Sequence, residues 1–428
     1  MKLCITNGRV IDPANEVDRT TSVYIAEGRI AGLDGGAEGF VADRTIDASG
    51  LVLVPGIVDL ATRLREPGQE HKATIASETR AAAAAGITSL CCAPDTNPVI
   101  DSPAEVRYVR QRANAAGHCR VYTLGALTKG LNGNELSEMA ALKQVGCVGV
   151  SNANRAVETT LILRRAMEYA ASHDLTVFLH PIDTALANHG CAHEGPISTR
   201  LGLPGVPTAA ETAALGVQLA LVEQTGVRAH ICRISSRRGM EIIAHAGSEG
   251  LPITTDVCAH QLHLTEMDIA DYNSLCHTMP PLRAMRDRDG LREGLKSGAI
   301  SAICSDHQPH DVDAKQAPFC ATEPGISALE TLLPLTLRLV DDGVLDLNQA
   351  IACLTSTPAR ILNIPAGDLS PGAAADICIY DPDKPWQLVA DELCSNGKNT
   401  PFEGWEFDAR VMYTLVSGKI VYDHAPHA

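Results

Sequence analysis

Basic residues, aromatic rings and long apolar runs are all scarce in this chain. Lys and Arg total 35 against 51 Asp and Glu, a formal net charge of −16. A surface of that sign repels phosphate backbones, so nucleic acid is excluded as the expected partner. The longest apolar runs, such as Leu51–Val54 and Ala81–Ala85, fall well short of the ~20 residues that cross a bilayer, and no membrane association is expected. No basic region followed by an apolar stretch opens the chain, which predicts a cytoplasmic location. A Walker phosphate loop, a Gly-x-Gly-x-x-Gly turn before a helix and a Gly-x-Ser-x-Gly elbow are all missing, which excludes nucleotide and serine chemistry of those kinds. The 14 cysteines include no CxxC pair. Many lie in apolar runs (Cys91, Cys92, Cys147, Cys232, Cys258, Cys304 and Cys378), where reduced cysteines serve as small core hydrophobes.

What is present is ample apolar material, 45% of 428 residues with 20% charged. That length and composition predict one large domain plus a smaller one with a sizeable core, and exclude disorder and disulfide scaffolds. The first ~55 residues alternate apolar and polar positions between Gly, Asn and Asp turns, as in Leu3-Cys4-Ile5-Thr6 before Asn7-Gly8, the period of short antiparallel strands. From Leu51 the pattern changes to eight short apolar runs: Leu51–Leu60, Ile87–Ala93, Arg120–Ala126, Cys147–Ser151, Thr176–His180, Ala229–Ser235, Ile253–Cys258 and Ile300–Ser305. Helical stretches separate them, clearest in Ala104–Ala116, Val157–Ser172, Ala209–Thr225 and Arg238–Ala246. Apolar strands alternating with helices indicate a parallel sheet covered on both faces, and eight such units indicate a (β/α)₈ barrel. After Pro365 the strand period returns in Asp376–Tyr380 and Val411–Val416. The expected fold is α/β: a (β/α)₈ TIM-like barrel over 55–364, with a small flanking β-sandwich domain built from both chain ends, 1–54 and 365–428.

Working residues of such barrels sit at the carboxyl ends of the strands. Those ends carry Asp59 to Gly68, Ala93 to Pro98, Ser151 to Asn154, His180 to Asp183, His230 to Ser235, Met279 to Arg283 and Ser305 to His310. On these residues, and on Leu64–Gly68, Asp95–Asp101, Thr128–Gly130, Arg200–Pro207, Pro280–Arg283, Asp306–His310 and Ala317–Phe319, the chain resembles the dihydroorotases, class I type, of the amidohydrolase superfamily. The resemblance covers nearly the whole length.

In an active member, zinc lowers the pKa of its bound water to about 7 and the hydroxide attacks a ring amide. The family motif after strand one, Asp-x-His-x-His-x-Arg, reads here Asp59, Ala61, Arg63, Arg65. By the same resemblance the strand-four ligand position falls on Ala153, between Asn152 and Asn154, and the strand-six histidine on Arg233. Only His180 and Asp306 remain of the ligand set. His230, two positions before Arg233, points the same way along its strand but one step deeper. A guanidinium cannot ligate a metal, so neither zinc nor another cofactor is expected, and Asp306 is vestigial. Loss of the cations leaves Asp306, and Asp59 with it, in need of a partner, which predicts that Arg63 or Arg233 pairs with Asp306. The substrate pocket is read as vestigial too: Arg65 and His310 remain, but an asparagine has become Asp95 and another has become Met279.

His307 and His310 are read as hydrogen-bonded remnants, His260 and His263 as packing residues, and Glu66 as a loop anchor. The resemblance extends to non-catalytic family members that some bacteria pair with aspartate carbamoyltransferase. It implies an inactive homologue needed for assembly or stability of that transferase in pyrimidine biosynthesis, held with its catalytic chain in a hetero-oligomer and self-associating. Two alternatives stand beside it. One is an active amidohydrolase with a single metal at His180, Asp306 and a histidine such as His230 or His307. The other is a regulatory subunit sensing an anion at Arg63, Arg65, Arg233 and His310.

Overall fold

The structure is a computed structural model and describes residues 2–35 and 39–424. Residues 1, 36–38 and 425–428, parts of the expected spans 1–54 and 365–428, lie outside the described residues. The chain opens with five strands, β1 (Lys2–Asp12), β2 (Val17–Ala26), β3 (Arg29–Leu33), β4 (Arg44–Asp47) and β5 (Val52–Pro55). β1 is long enough to pair antiparallel with β2 along one side. On its other side it pairs in parallel with β4 through Leu3–Thr6 and with β5 through Arg9 and Val10.

The barrel follows: β6 (Ile57–Thr62), β7 (Ile87–Cys92), β8 (Arg120–Ala126), β9 (Gly149–Ser151) and β10 (Thr176–Leu179). A small ribbon of β11 (Ala192–His193) and β12 (Gly205–Val206) comes next, and then β13 (Ala229–Ile231), β14 (Ile253–Cys258) and β15 (Ala302–Cys304). The eight barrel strands pair in parallel in chain order from β6 to β15. At the carboxyl end of the chain come β16 (Ile377–Asp381), the pair β17 (Trp386–Gln387) and β18 (Glu406–Phe407), β19 (Arg410–Val416) and β20 (Lys419–Asp423). β16 pairs antiparallel with β5 and carries β19 and β20 into the same sheet as β1. Leu3, Ile5, Val10, Val23 and Ile25 from the front of the chain share one apolar core with Leu369, Ile377, Ile379 and Leu415 from its end.

The expected barrel is therefore observed, and its ladder is finished by residues just past the strands. Arg63 N donates to His307 O (2.9 Å), His307 N donates to Ala61 O (3.1 Å), and Thr62 and His307 form a parallel bridge. Asp59, suspected of being unpaired, accepts from the Ser305 amide (2.8 Å) and hydroxyl (2.6 Å) across this seam, and from the Thr62 hydroxyl. Helices fall where the pattern places them, at Pro103–Ala116, Thr160–Ser172, Thr208–Thr225 and Arg237–Ser248. The first begins with Ser102 capping Ala104 N ahead of Pro103 and stops at Gly117 in the left-handed region, the usual asymmetry of helix ends.

Two expectations need correction. The run Leu51–Leu60 is not one strand: it divides at Gly56 between the outer sheet and the barrel. The cysteines are also not uniformly free, since Cys191 and Cys320 form a disulfide across 129 positions, with Cα atoms 5.4 Å apart. No local spacing reveals a pair so far separated. The other twelve are free. Cys91, Cys258 and Cys304 pack inside the barrel with Val58, Leu60, Leu124 and Phe178. Burial pushes their thiols up, which keeps them protonated and inert.

Candidate functional site

Asp306 follows β15 and is the hub of the barrel mouth. Its carboxylate is 2% exposed, and an isolated charge there would lose its hydration without return. Three side chains from three places in the chain meet it. Arg233, after β13, donates from Nη1 to Oδ1 at 2.5 Å. Arg63, after β6, donates from Nη1 to the same oxygen at 3.3 Å. Gln308 donates from Nε2 to Oδ2 at 3.0 Å. Both arginines are buried, 7% and 6% exposed. Burial works against the Asp306 carboxylate, but Arg233 and Arg63 hold its pKa below the ordinary value. Burial likewise opposes the charge on Arg233, and Asp306 outweighs it, so the guanidinium pKa is raised.

Each arginine also holds a second partner. Arg63 Nε donates to Asp95 Oδ2 at 2.8 Å, and Arg233 Nη2 donates to Asn154 Oδ1 at 2.6 Å. Asp95, read from sequence as a spoiled substrate contact, is thus the second counterion of Arg63. Its pKa is lowered, the cost of burial being overcome by that guanidinium. Arg65 donates from Nε to Pro309 O at 3.0 Å and lies 3.1 Å from His310 Nε2. Burial and the neighbouring Arg63 bring the Arg65 pKa down to about 10. Burial and Arg65 bring that of His310 down to about 2.

Other expected site residues separate from this cluster. Met279 packs with Ala187, Val206, Ala210 and Ile182 in an apolar group of its own. His230 sits 3.2 Å from Asp256 and 2.8 Å from Thr254 Oγ1, so its ring belongs to neighbouring β14. His307 donates from Nε2 to Glu78 (2.7 Å) and accepts from Ala328 N (3.0 Å), which uses both ring nitrogens. Glu66 receives Ile75 N, Tyr108 Oη and Arg112 Nε and so anchors its loop to two helices. His180 lines the mouth in a neutral state, its pKa brought to about 3 by burial and by Arg233. Asn154 and Gln308 are the partners that reading the sequence did not assign. A neutral amide two residues beyond Asp306 was the available signal for Gln308.

The backbone at these positions is unusual. Arg65, Ala153, Arg233 and Asp306 all hold positive φ (63°, 50°, 54° and 47°), a region that non-glycine residues seldom occupy and that clusters at functional sites. The donor set nevertheless does not fit a divalent cation. Ala61 and Ala153 offer no donor atom, and two guanidinium groups occupy the carboxylate that would have to ligate. Among the described residues no three His, Cys, Asp or Glu side chains converge as a metal site.

The fold and the arrangement of strand-end residues define a barrel of the amidohydrolase type. An L-hydantoinase (dihydropyrimidinase) from Arthrobacter aurescens superposes with a TM-score of 0.89 at 22% identity, covering 99% of this chain and 96% of that one. At that identity the likeness concerns the fold. A dihydro-orotase-like family model matches residues 50–239, and an amidohydrolase family model matches residues 313–422. A "dihydroorotase-like protein" of Pseudomonas aeruginosa is 49% identical over 423 residues, with 99% of this chain and 100% of the relative covered. A "dihydroorotase" of Syntrophotalea carbinolica is 43% identical, with 99% of each chain covered. The chain belongs to the dihydroorotase-like amidohydrolases. Among its described residues no helix is long and apolar enough to cross a membrane.

Proposed function

We propose that this chain is a catalytically inactive dihydroorotase homologue, a cytoplasmic, structural subunit required for assembly or stability of aspartate carbamoyltransferase. The observation that carries the reading is the double arginine clamp on Asp306. Guanidinium groups standing at two metal-ligand positions of the family motif neutralise the carboxylate internally, and the reaction loses its source of activated water. The chain keeps its fold through charge pairs where the family uses cations, as a protein retained for its surface requires. An anion-sensing role draws less support, because Arg63, Arg65 and Arg233 already have protein partners and the space lined by Arg63, Arg65 and Asp95 is only about 10 Å³.

The test is co-expression with the transferase catalytic chain, followed by size-exclusion chromatography, metal analysis by mass spectrometry and a dihydroorotate hydrolysis assay. The expected result is one hetero-oligomeric peak, no stoichiometric zinc and no turnover. Stoichiometric zinc with turnover would overturn the inactive reading. Separate elution, with a transferase equally stable alone, would overturn the scaffolding role.

A further inference from the structure

At the opposite end of the barrel from Asp306, where β8 begins and just ahead of β9, a cleft of about 580 Å³ opens between the barrel and the outer sheet. The helix Pro103–Ala116, the link at residues 363–365 and the end of β19 complete its walls. Val121, Val148, Ile364 and Val416 are only half-buried there, so hydrocarbon is left uncovered where the two parts meet. The chain carries a net charge of −16, yet this lining holds Arg110 and Arg120 and, among the described residues, no Asp or Glu. Arg120 is neutralised from behind, its Nη2 donating to Asp376 Oδ1 at 3.0 Å and to Ser417 Oγ at 2.8 Å. Arg110 has no such counterion. It is exposed, and its one hydrogen bond to a described residue runs from Nη2 to the Val145 carbonyl at 2.5 Å. Gly146, at φ 99°, makes room for that contact, since a Cβ there would stand 2.2 Å from Arg110 Nη2. The guanidinium is thus seated at one place in the wall, with its charge uncompensated and most of its donors free.

We propose that this cleft binds a small organic carboxylate carried on an apolar ring body. The carboxylate accepts from the free N–H groups of Arg110, in the fork geometry that a guanidinium offers. The body covers Val121, Val148 and Ile364, and its burial supplies the affinity that a single ion pair at a wet surface lacks. One uncompensated guanidinium balances one negative charge, whereas a phosphate monoester brings about −1.5 to −2 at pH 7. An ammonium group would be repelled by Arg110. The site is independent of the scaffolding role and lies apart from the arginine clamp. Its volume falls within the range of small-molecule sites, which favour junctions of this kind.

Indole-3-acetate, its neutral near-isostere indole-3-acetamide, and acetate, each titrated calorimetrically into the full chain, separate the charge from the apolar body. Indole-3-acetate is expected to bind with Kd on the order of 1 mM, as suits a guest of this size in an open cleft. The amide and acetate should each bind at least about tenfold more weakly. Arg110→Gln should weaken the acid by about tenfold and leave the amide unchanged, because it removes only the charged partner. Asn114→Trp, at an exposed helical position in the cleft wall, should block the acid while the far-UV circular dichroism and melting temperature stay unchanged. Equal binding of acid and amide, equal binding of acid and acetate, an acid affinity indifferent to both variants, or no heat from the acid at ~10 mM would overturn the proposal. If Arg110→Gln fails to fold, Asn114→Trp and the comparison of acid with amide decide.

Discussion

Asp306 is a buried anion that needs partners, and Arg233 and Arg63 supply them at 2.5 and 3.3 Å. Removing one member of such a buried pair leaves the other uncompensated, typically at a cost of about 3–5 kcal/mol, whereas replacing both by apolar groups is far milder. Arg233→Met and Asp306→Leu should therefore each lower the free energy of urea unfolding by roughly 3 kcal/mol, and the double variant should lose clearly less than their sum. Additivity within about 0.5 kcal/mol would mean that the two side chains act independently. At this scale Asp306, Arg63 and Arg233 were legible because they stand at motif positions. The pairing of Arg63 with Asp95, 32 positions away, and of Arg233 with Asn154, 79 positions away, was not. Barrel closure brings those side chains together, and nothing in local spacing encodes it.

Among the elements, the strand following Leu51 shows most plainly what periodicity misses. An unbroken apolar run offers no internal mark of a boundary, and both halves are buried, so the hydrophobic pattern does not change where the chain passes from the outer sheet into the barrel. Gly56 makes the passage possible: a Cβ there would stand 2.1 Å from Thr88 Oγ1 and 2.4 Å from Thr88 Cγ2. Gly56→Ala should cost about 1–3 kcal/mol through this overlap, and Thr88→Ala in the same chain should recover part of it. Thermal unfolding of the single and double variants checks both. A Gly56→Ala chain as stable as the parent would show that the strand shifts without penalty. The remaining barrel strands were read within a few residues, since each is a short apolar run bounded by helix signals.

For the whole molecule, the buried histidines set the response to acid. Burial brings His180 to about 3, His193, His260, His263 and His277 to about 4, and His310 to about 2, each from 6.5. Below pH 6.5 the unfolded chain takes up protons that the folded chain refuses, so stability falls as pH falls. Each group contributes up to about 1.4 kcal/mol per pH unit until its folded value is reached. The depressed Asp306 adds to this only lower down: its contribution is present above 3.8 and lost as pH drops through its folded value. Urea midpoints should accordingly decline between pH 7 and pH 5, well before the carboxylates titrate. A flat midpoint over that interval would show that these histidines protonate in place.

The sequence by itself determined the class of fold, the order of its elements and the residues standing at the strand ends, because these follow from periodicity, turn chemistry and residue identity, all local properties of the chain. Its resemblance to the dihydroorotases also implied that Arg63 and Arg233 stand at metal-ligand positions of the family motif. Only the tertiary structure decided that both converge on one carboxylate and that Asp59 ties the barrel seam. It likewise decided that Cys191 meets Cys320 and that Gln218 bonds the His180 carbonyl. Those are relations between residues tens to hundreds of positions apart, and closure of the barrel sets their distances.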